Sequence, residues 1–135
     1  MREIKFRGKR LDNGEWIEGD LLRMLDHWFI FPDPAPEGID KYAVDPATVG
    51  QFTGLKDKNG KEIYEGDVIR SPLSEDKTRP HRIFYHTGNA AFMGALVDRK
   101  ELCYLRLDQD WIYKFGKEVI DNIHDNPELQ KGGKK

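Results

Sequence analysis

This sequence predicts an all-β fold: a small SH3-like barrel of about five strands, extended by an N-terminal β-hairpin, with little helix. Three observations carry that reading. Short runs of alternating or β-branched residues recur along the 135-residue chain. Turn signals built from Gly, Asn, Asp and Pro separate them roughly every ten residues. Almost no segment reads as helix.

The elements follow in order. Residues 3–7, EIKFR, alternate, with Ile4 and Phe6 on one side and Glu3, Lys5 and Arg7 on the other, which predicts a half-buried strand. Gly8 permits a bend, Asp12-Asn13-Gly14 is a tight-turn signal, and EWIEGDLL returns as a second strand. Met24–Phe31, MLDHWFIF, reads as one further strand. Pro32–Gly38 holds three prolines and is a surface loop. Asp45-Pro46 looks like a cap with proline at the first helical position, opening one helical turn. Val49–Leu55 reads as a strand, and Asn59-Gly60 followed by YEGDVIR gives a second turn and strand.

Ser71–Pro80 is polar and rich in breakers, hence a long loop. RIFYH, the turn Thr87-Gly88-Asn89, and AAFMGALV read as a hairpin, and Glu101–Leu107 as a strand. DQDWIYKFG suits a turn with a helical residue or two. Glu118–His124 is read as a strand because three of its seven residues are β-branched. Asn126-Pro127-Glu128 is a helical start with little chain left to run. Residues 1–127 are thus expected as one β-rich domain, with possible subdomains 1–62 and 63–127, and residues 128–135 as a disordered basic tail.

Composition narrows the function classes. Charged residues make up 34% and hydrophobic ones 38%, yet 15 aromatics are spread along the chain, which a disordered segment would lack. Cys103 is the single cysteine, so an internal disulfide and a cysteine-based zinc site are excluded, and a reducing cytoplasm fits. The charged start MREIKFRGKR does not read as a signal peptide, and no run approaches the roughly 20 apolar residues of a membrane span. The net charge is −2; setting aside Lys131, Lys134 and Lys135 of the tail, 19 basic residues face 24 acidic ones. A body of that sign is no general polyanion binder.

Two stretches nearly repeat: NGEWIEGDLLR (Asn13–Arg23) and NGKEIYEGDVIR (Asn59–Arg70). Their carboxylates, Glu18, Asp20, Glu65 and Asp67, would hold Mg²⁺ or Ca²⁺ if the repeats packed as a pair. The favoured reading is structural: Asn13, Gly14, Asn59 and Gly60 reverse the chain, and Gly19-Asp20 and Gly66-Asp67 admit it to a new strand, the aspartates accepting backbone N–H bonds. Of the four histidines, His81 and His86 are five apart and would face opposite sides of a strand, while His27 reads as half-buried beside Trp28. Cys103 sits in an apolar alternation and reads as core.

Two basic groups stand out: Arg2, Lys5, Arg7, Lys9 and Arg10 on the first hairpin, and Lys77, Arg79 and Arg82 with His81 around the long loop. Near Trp28, Phe84 or Tyr85 they would track a nucleic-acid backbone with stacking. The alternative is a solvated strand face neutralised by Glu3, Asp12 and Glu15.

The block VDPATVGQFTGLKDKNGKEIYEGDVIR (Val44–Arg70), with EVIDNIHDNPEL near the end and the opening REIKFRGKRLDNGEWIEGDLL, resembles the YopX family of phage and prophage proteins. The resemblance covers most of the chain and leaves Met24–Tyr42 and Pro72–Leu107 as variable parts. It implies a phage-associated protein and brings no catalytic or ligand residues. The expectation is a non-enzymatic, cytoplasmic accessory protein without cofactor, acting by binding a protein partner or by homo-oligomerising. The alternative is nucleic-acid binding through the basic hairpin with Arg79 and Arg82. A metal-dependent hydrolase at the Glu-Gly-Asp stretches ranks third.

Overall fold

The computed structural model describes residues 2–34, 38–71, 80–97 and 104–130, with backbone alone for 39, 40, 104, 105 and 130. The chain is mostly β and forms two five-stranded antiparallel sheets. It divides into two compact units at the junction of Phe52 and Thr53, inside a strand.

The first unit opens with β1 (Phe6–Lys9) and β2 (Trp16–Met24), paired so that Arg7 faces Glu18 and Lys9 faces Trp16. Asn13 and Gly14 make the reversal: Asn13 Oδ1 accepts from the Glu15 amide at 2.9 Å, and Gly14 takes φ 73°. The run Met24–Phe31, read from sequence as one strand, is instead a second hairpin. β2 continues to Met24, a two-residue turn follows at Leu25 and Asp26 with φ 52° and 70°, and β3 (His27–Phe31) returns. Positive φ at both central residues is the signature of a primed hairpin turn, which matches strand twist but normally draws Asn and Gly. A leucine there hid the turn.

One short segment then bonds to two strands. The Val44 amide donates to the Trp28 carbonyl, while the Leu11 amide donates to Ala43 and the Asp45 amide to Lys9, each at 2.9 Å. This brings Val44 and Ile30 onto Gly8, where an added Cβ would meet them at 3.3 and 3.1 Å. Phe29, Ile30, Tyr42 and Val44 are the buried apolar side chains around this contact. Asp45 caps the short 3-10 turn Pro46–Thr48, accepting from the Ala47 amide at 3.0 Å. β4 (Gly50–Lys56) follows, its first residues pairing with β1.

In the second unit, β5 (Glu62–Tyr64) completes the first sheet, of order β3-β2-β1-β4-β5. Glu65-Gly66 turns the chain, with Gly66 at φ 91°, into β6 (Asp67–Arg70). The second sheet adds β7 (His81–His86), β8 (Ala91–Leu96), β9 (Tyr104–Arg106) and β10 (Glu118–Asn122), in the order β10-β6-β7-β8-β9. The five strands expected in this half are therefore present, but the closed barrel is not. Among the described residues no ladder joins β9 to β10. β9 is three residues long, β10 is interrupted by an irregularity between Val119 and Asp121, and the chain between them is used by α1 (Gln109–Lys114). Asp108 starts that helix by accepting from the Trp111 amide at 2.8 Å, so a full turn and a half forms where sequence suggested a residue or two. Its Ile112 joins Ile63, Ile69 and Ile83 in the core, with Leu55, Leu107, Trp111 and Val119 around them. Pro127–Gln130 form a 3-10 turn, so helical structure continues into the region read as tail.

Candidate binding faces

The two Glu-Gly-Asp stretches are built differently. Glu18-Gly19-Asp20 lies within β2, not at a strand entrance, and Glu18 and Asp20 are exposed. Gly19 is there because a Cβ would sit 2.0 Å from the Phe31 carbonyl oxygen. Glu65-Gly66-Asp67 is a corner between two sheets. Asp67 is 1% exposed and accepts from the Tyr64 amide at 2.8 Å, closing the turn it follows. Asn59 and Gly60 form a turn held by Asp57, which sequence reading passed over. Asp57 is 2% exposed; its Oδ1 accepts from the Asn59 and Lys61 amides at 2.8 and 2.9 Å, and its Oδ2 from Val119 at 3.0 Å. A buried carboxyl group that satisfies three backbone amides is a structural clamp. Its signal was available: an Asp two residues before Asn-Gly is the usual site of a side-chain-to-backbone turn bond. Among the described residues no three His, Cys, Asp or Glu side chains are grouped to hold a metal ion.

The basic hairpin lies on the outward side of β1, with acids beside it. Arg7 sits 4.6 Å and Lys9 5.4 Å from the centre of the Trp16 ring, and Lys5 lies 5.3 Å from that of Phe52. Lys5 also pairs with Glu3 at 3.5 Å, Arg7 faces Glu18 across the ladder, and Arg10 donates to Asp12 at 2.6 Å. That last hydrogen bond holds the Asp12 carboxyl below its usual range and raises the Arg10 guanidinium. Trp28, proposed as a stacking partner for the basic groups, carries Arg23 at 4.8 Å instead.

Lys77, Arg79 and Cys103 lie outside the described residues. Arg82 lies on β7 in the second unit, 5.5 Å from the centre of the Phe84 ring, and His86 meets the same ring edge-on at 6.0 Å. These three alternate along one side of β7. Across the ladder their partners are Ala95, Met93 and Ala91 of β8, and Met93 in turn faces Arg106 of β9, which is exposed. Sequence reading reached Arg82 but not Arg106, because only the register shows that they share a face. His81 lies on the opposite side of β7, buried and edge-on to Trp111 at 5.8 Å; His27 is exposed and lies 6.3 Å from Phe29.

Exposed apolar residues gather at the tip of the second hairpin, with Leu25 84% exposed and Leu22 and Met24 about two-fifths exposed. No helix among the described residues is long and apolar enough to cross a membrane.

No curated protein matches this chain. Among solved structures it is similar to protein EF1440 from Enterococcus faecalis, at 26% identity and a TM-score of 0.63, over 96% of this chain and 99% of that one. The family model described as YopX protein matches residues 5–131, nearly the whole length. The chain therefore belongs to the YopX family.

Proposed function

We propose that this protein is a phage- or prophage-encoded accessory factor of the host cytoplasm that acts by binding rather than by catalysis, with the second sheet serving as a small SH3-like module. The supporting observation is the placement of its charged and aromatic groups. The buried carboxylates Asp57 and Asp67 are occupied by backbone amides, whereas the cations lie on aromatic rings along strand faces: Arg7 and Lys9 on Trp16, Arg82 on Phe84. A cation held over a ring keeps N–H donors directed outward at low entropic cost, which suits recognition. Photo-crosslinking in the host cell tests this reading. A crosslinker at position 9 or 82 should capture a discrete partner that one at exposed Leu11 does not. Equal, diffuse labelling at all three would defeat it.

A second reading, self-association or a protein partner, rests on the hairpin tip. Leu25 is almost fully exposed in a backbone conformation that leucine disfavours, and it stands beside Leu22 and Met24. Concentration-dependent sedimentation of the wild type, absent from Leu25→Asn, would support it.

A further inference from the structure

We propose that the outward face of β7-β8-β9 is a binding site for single-stranded nucleic acid, with Phe84 as the stacking platform and Arg82 and Arg106 as phosphate contacts. This rests on the binding reading above and names the class of partner.

The face has three properties that such a site needs. The first is an aromatic ring set among cations on a central strand. Phe84 is half-buried between Arg82 and His86, so a base laid beside it would meet both a π-face and a guanidinium plane. The second is a low floor. Ala91 of β8 is half-buried, and Met93 and Ala95 are buried between the flanking strands, so the cations and Phe84 stand above them. The third is charge on both sides. Arg82 on β7 and Arg106 on β9 are two strand spacings apart and two residues out of register, about 12 Å in all, so a backbone could run obliquely across β8 with a cation on either flank.

His86 closes the row: its Nδ1 accepts from the Asn89 amide at 3.1 Å, which fixes the ring at the end of β7. The first-unit hairpin lacks the same balance. Glu3, Asp12 and Glu18 stand beside Lys5, Arg10 and Arg7, which suppresses attraction for phosphates there. Among the described residues the carboxylates of the second sheet's ladder lie on β6 and β10: Asp67 is buried and accepts from the Tyr64 amide, Glu118 pairs with Lys58 at 3.0 Å, and Asp121 accepts from the Asn122 amide. β10 is the far edge from β9.

Fluorescence anisotropy with the full chain and labelled single-stranded DNA or RNA of about 12 nucleotides tests the proposal. Binding should be measurable at about 50 mM salt and fall steeply by about 200 mM. Arg82→Ala and Arg106→Ala should each lower the slope of log affinity against log salt by about one. Phe84→Leu, which keeps an apolar side chain in the fold, should weaken binding about tenfold through lost stacking. Lys114→Ala, which removes an exposed cation of α1, should leave it unchanged. No binding at low salt, or binding that Arg82→Ala, Arg106→Ala and Phe84→Leu all leave intact, overturns the site. A protein crosslinked at position 82 would overturn it too, yet leave the binding reading standing.

Discussion

At the scale of single residues, the buried carboxyl groups carry structure, whereas one on an exposed strand face such as Glu18 carries little. Asp57→Ala should cost about 3 kcal/mol in urea unfolding, since it strands three amide donors, two of them beside a turn. Glu18→Ala, on an exposed strand face, should stay within about 0.5 kcal/mol. Asp12 gives the pH counterpart. Its carboxyl is held below the usual range by the hydrogen bond from Arg10, so the charged form is favoured in the fold. The resulting stability is present above the ordinary aspartate range and is lost as pH falls through the lowered value. Both groups are at the surface, so the effect is small and is best read by NMR. The Asp12 carboxyl should titrate below a model aspartate, and Arg10→Gln should move it back up. The cap Asp45 was legible in sequence because Asp-Pro has a local meaning. The role of Asp57 was only half legible, because its third donor, Val119, lies 62 residues away.

At the scale of elements, glycines and turns show what local patterns conceal. The first hairpin was readable from Asn13-Gly14, where φ 73° favours glycine. The second was not, because Leu25-Asp26 carries no turn signal. Replacing Leu25 by Asn should raise the melting temperature, equivalent to about 1 kcal/mol, by relieving the left-handed leucine. If the change lowers stability, the tip is packed in a way its exposure does not suggest. Gly19→Ala should be far worse than Gly14→Ala. The first drives a methyl into the Phe31 carbonyl, whereas the second meets no atom within 4 Å and costs only its left-handed strain, about 1 kcal/mol. Thus the repeated Glu-Gly-Asp pattern serves two purposes: a close approach of strands in β2, and a sheet-to-sheet corner before β6. Sequence likeness could not separate them, since glycine answers both needs.

At the scale of the whole molecule, the mostly-β class was legible because strand and turn signals are local. Closure was not, because it depends on pairing between distant edges that no local signal reports. The chain's two units hold their tryptophans separately: Trp16 and Trp28 in the first, Trp111 in the second. Ile83→Ala removes a fully buried side chain from the second unit's core and should cost about 3 kcal/mol. In denaturant, Trp111 fluorescence should report that loss in a background where Trp16 and Trp28 are phenylalanine. A variant whose Trp111 transition is unmoved would show that Ile83 is not part of that core.

The Asp57 carboxylate has a consequence in time as well as in energy. It fastens the amides of Asn59, Lys61 and Val119, so the turn before β5 and the start of β10 cannot open independently without leaving buried hydrogen-bonding groups unpaired. In deuterated water these three amides should exchange at a shared rate, set by the opening of one cooperative unit. Asp57→Asn, which gives up one acceptor oxygen, should let Val119 exchange ahead of the others or the turn ahead of Val119, according to which oxygen it loses.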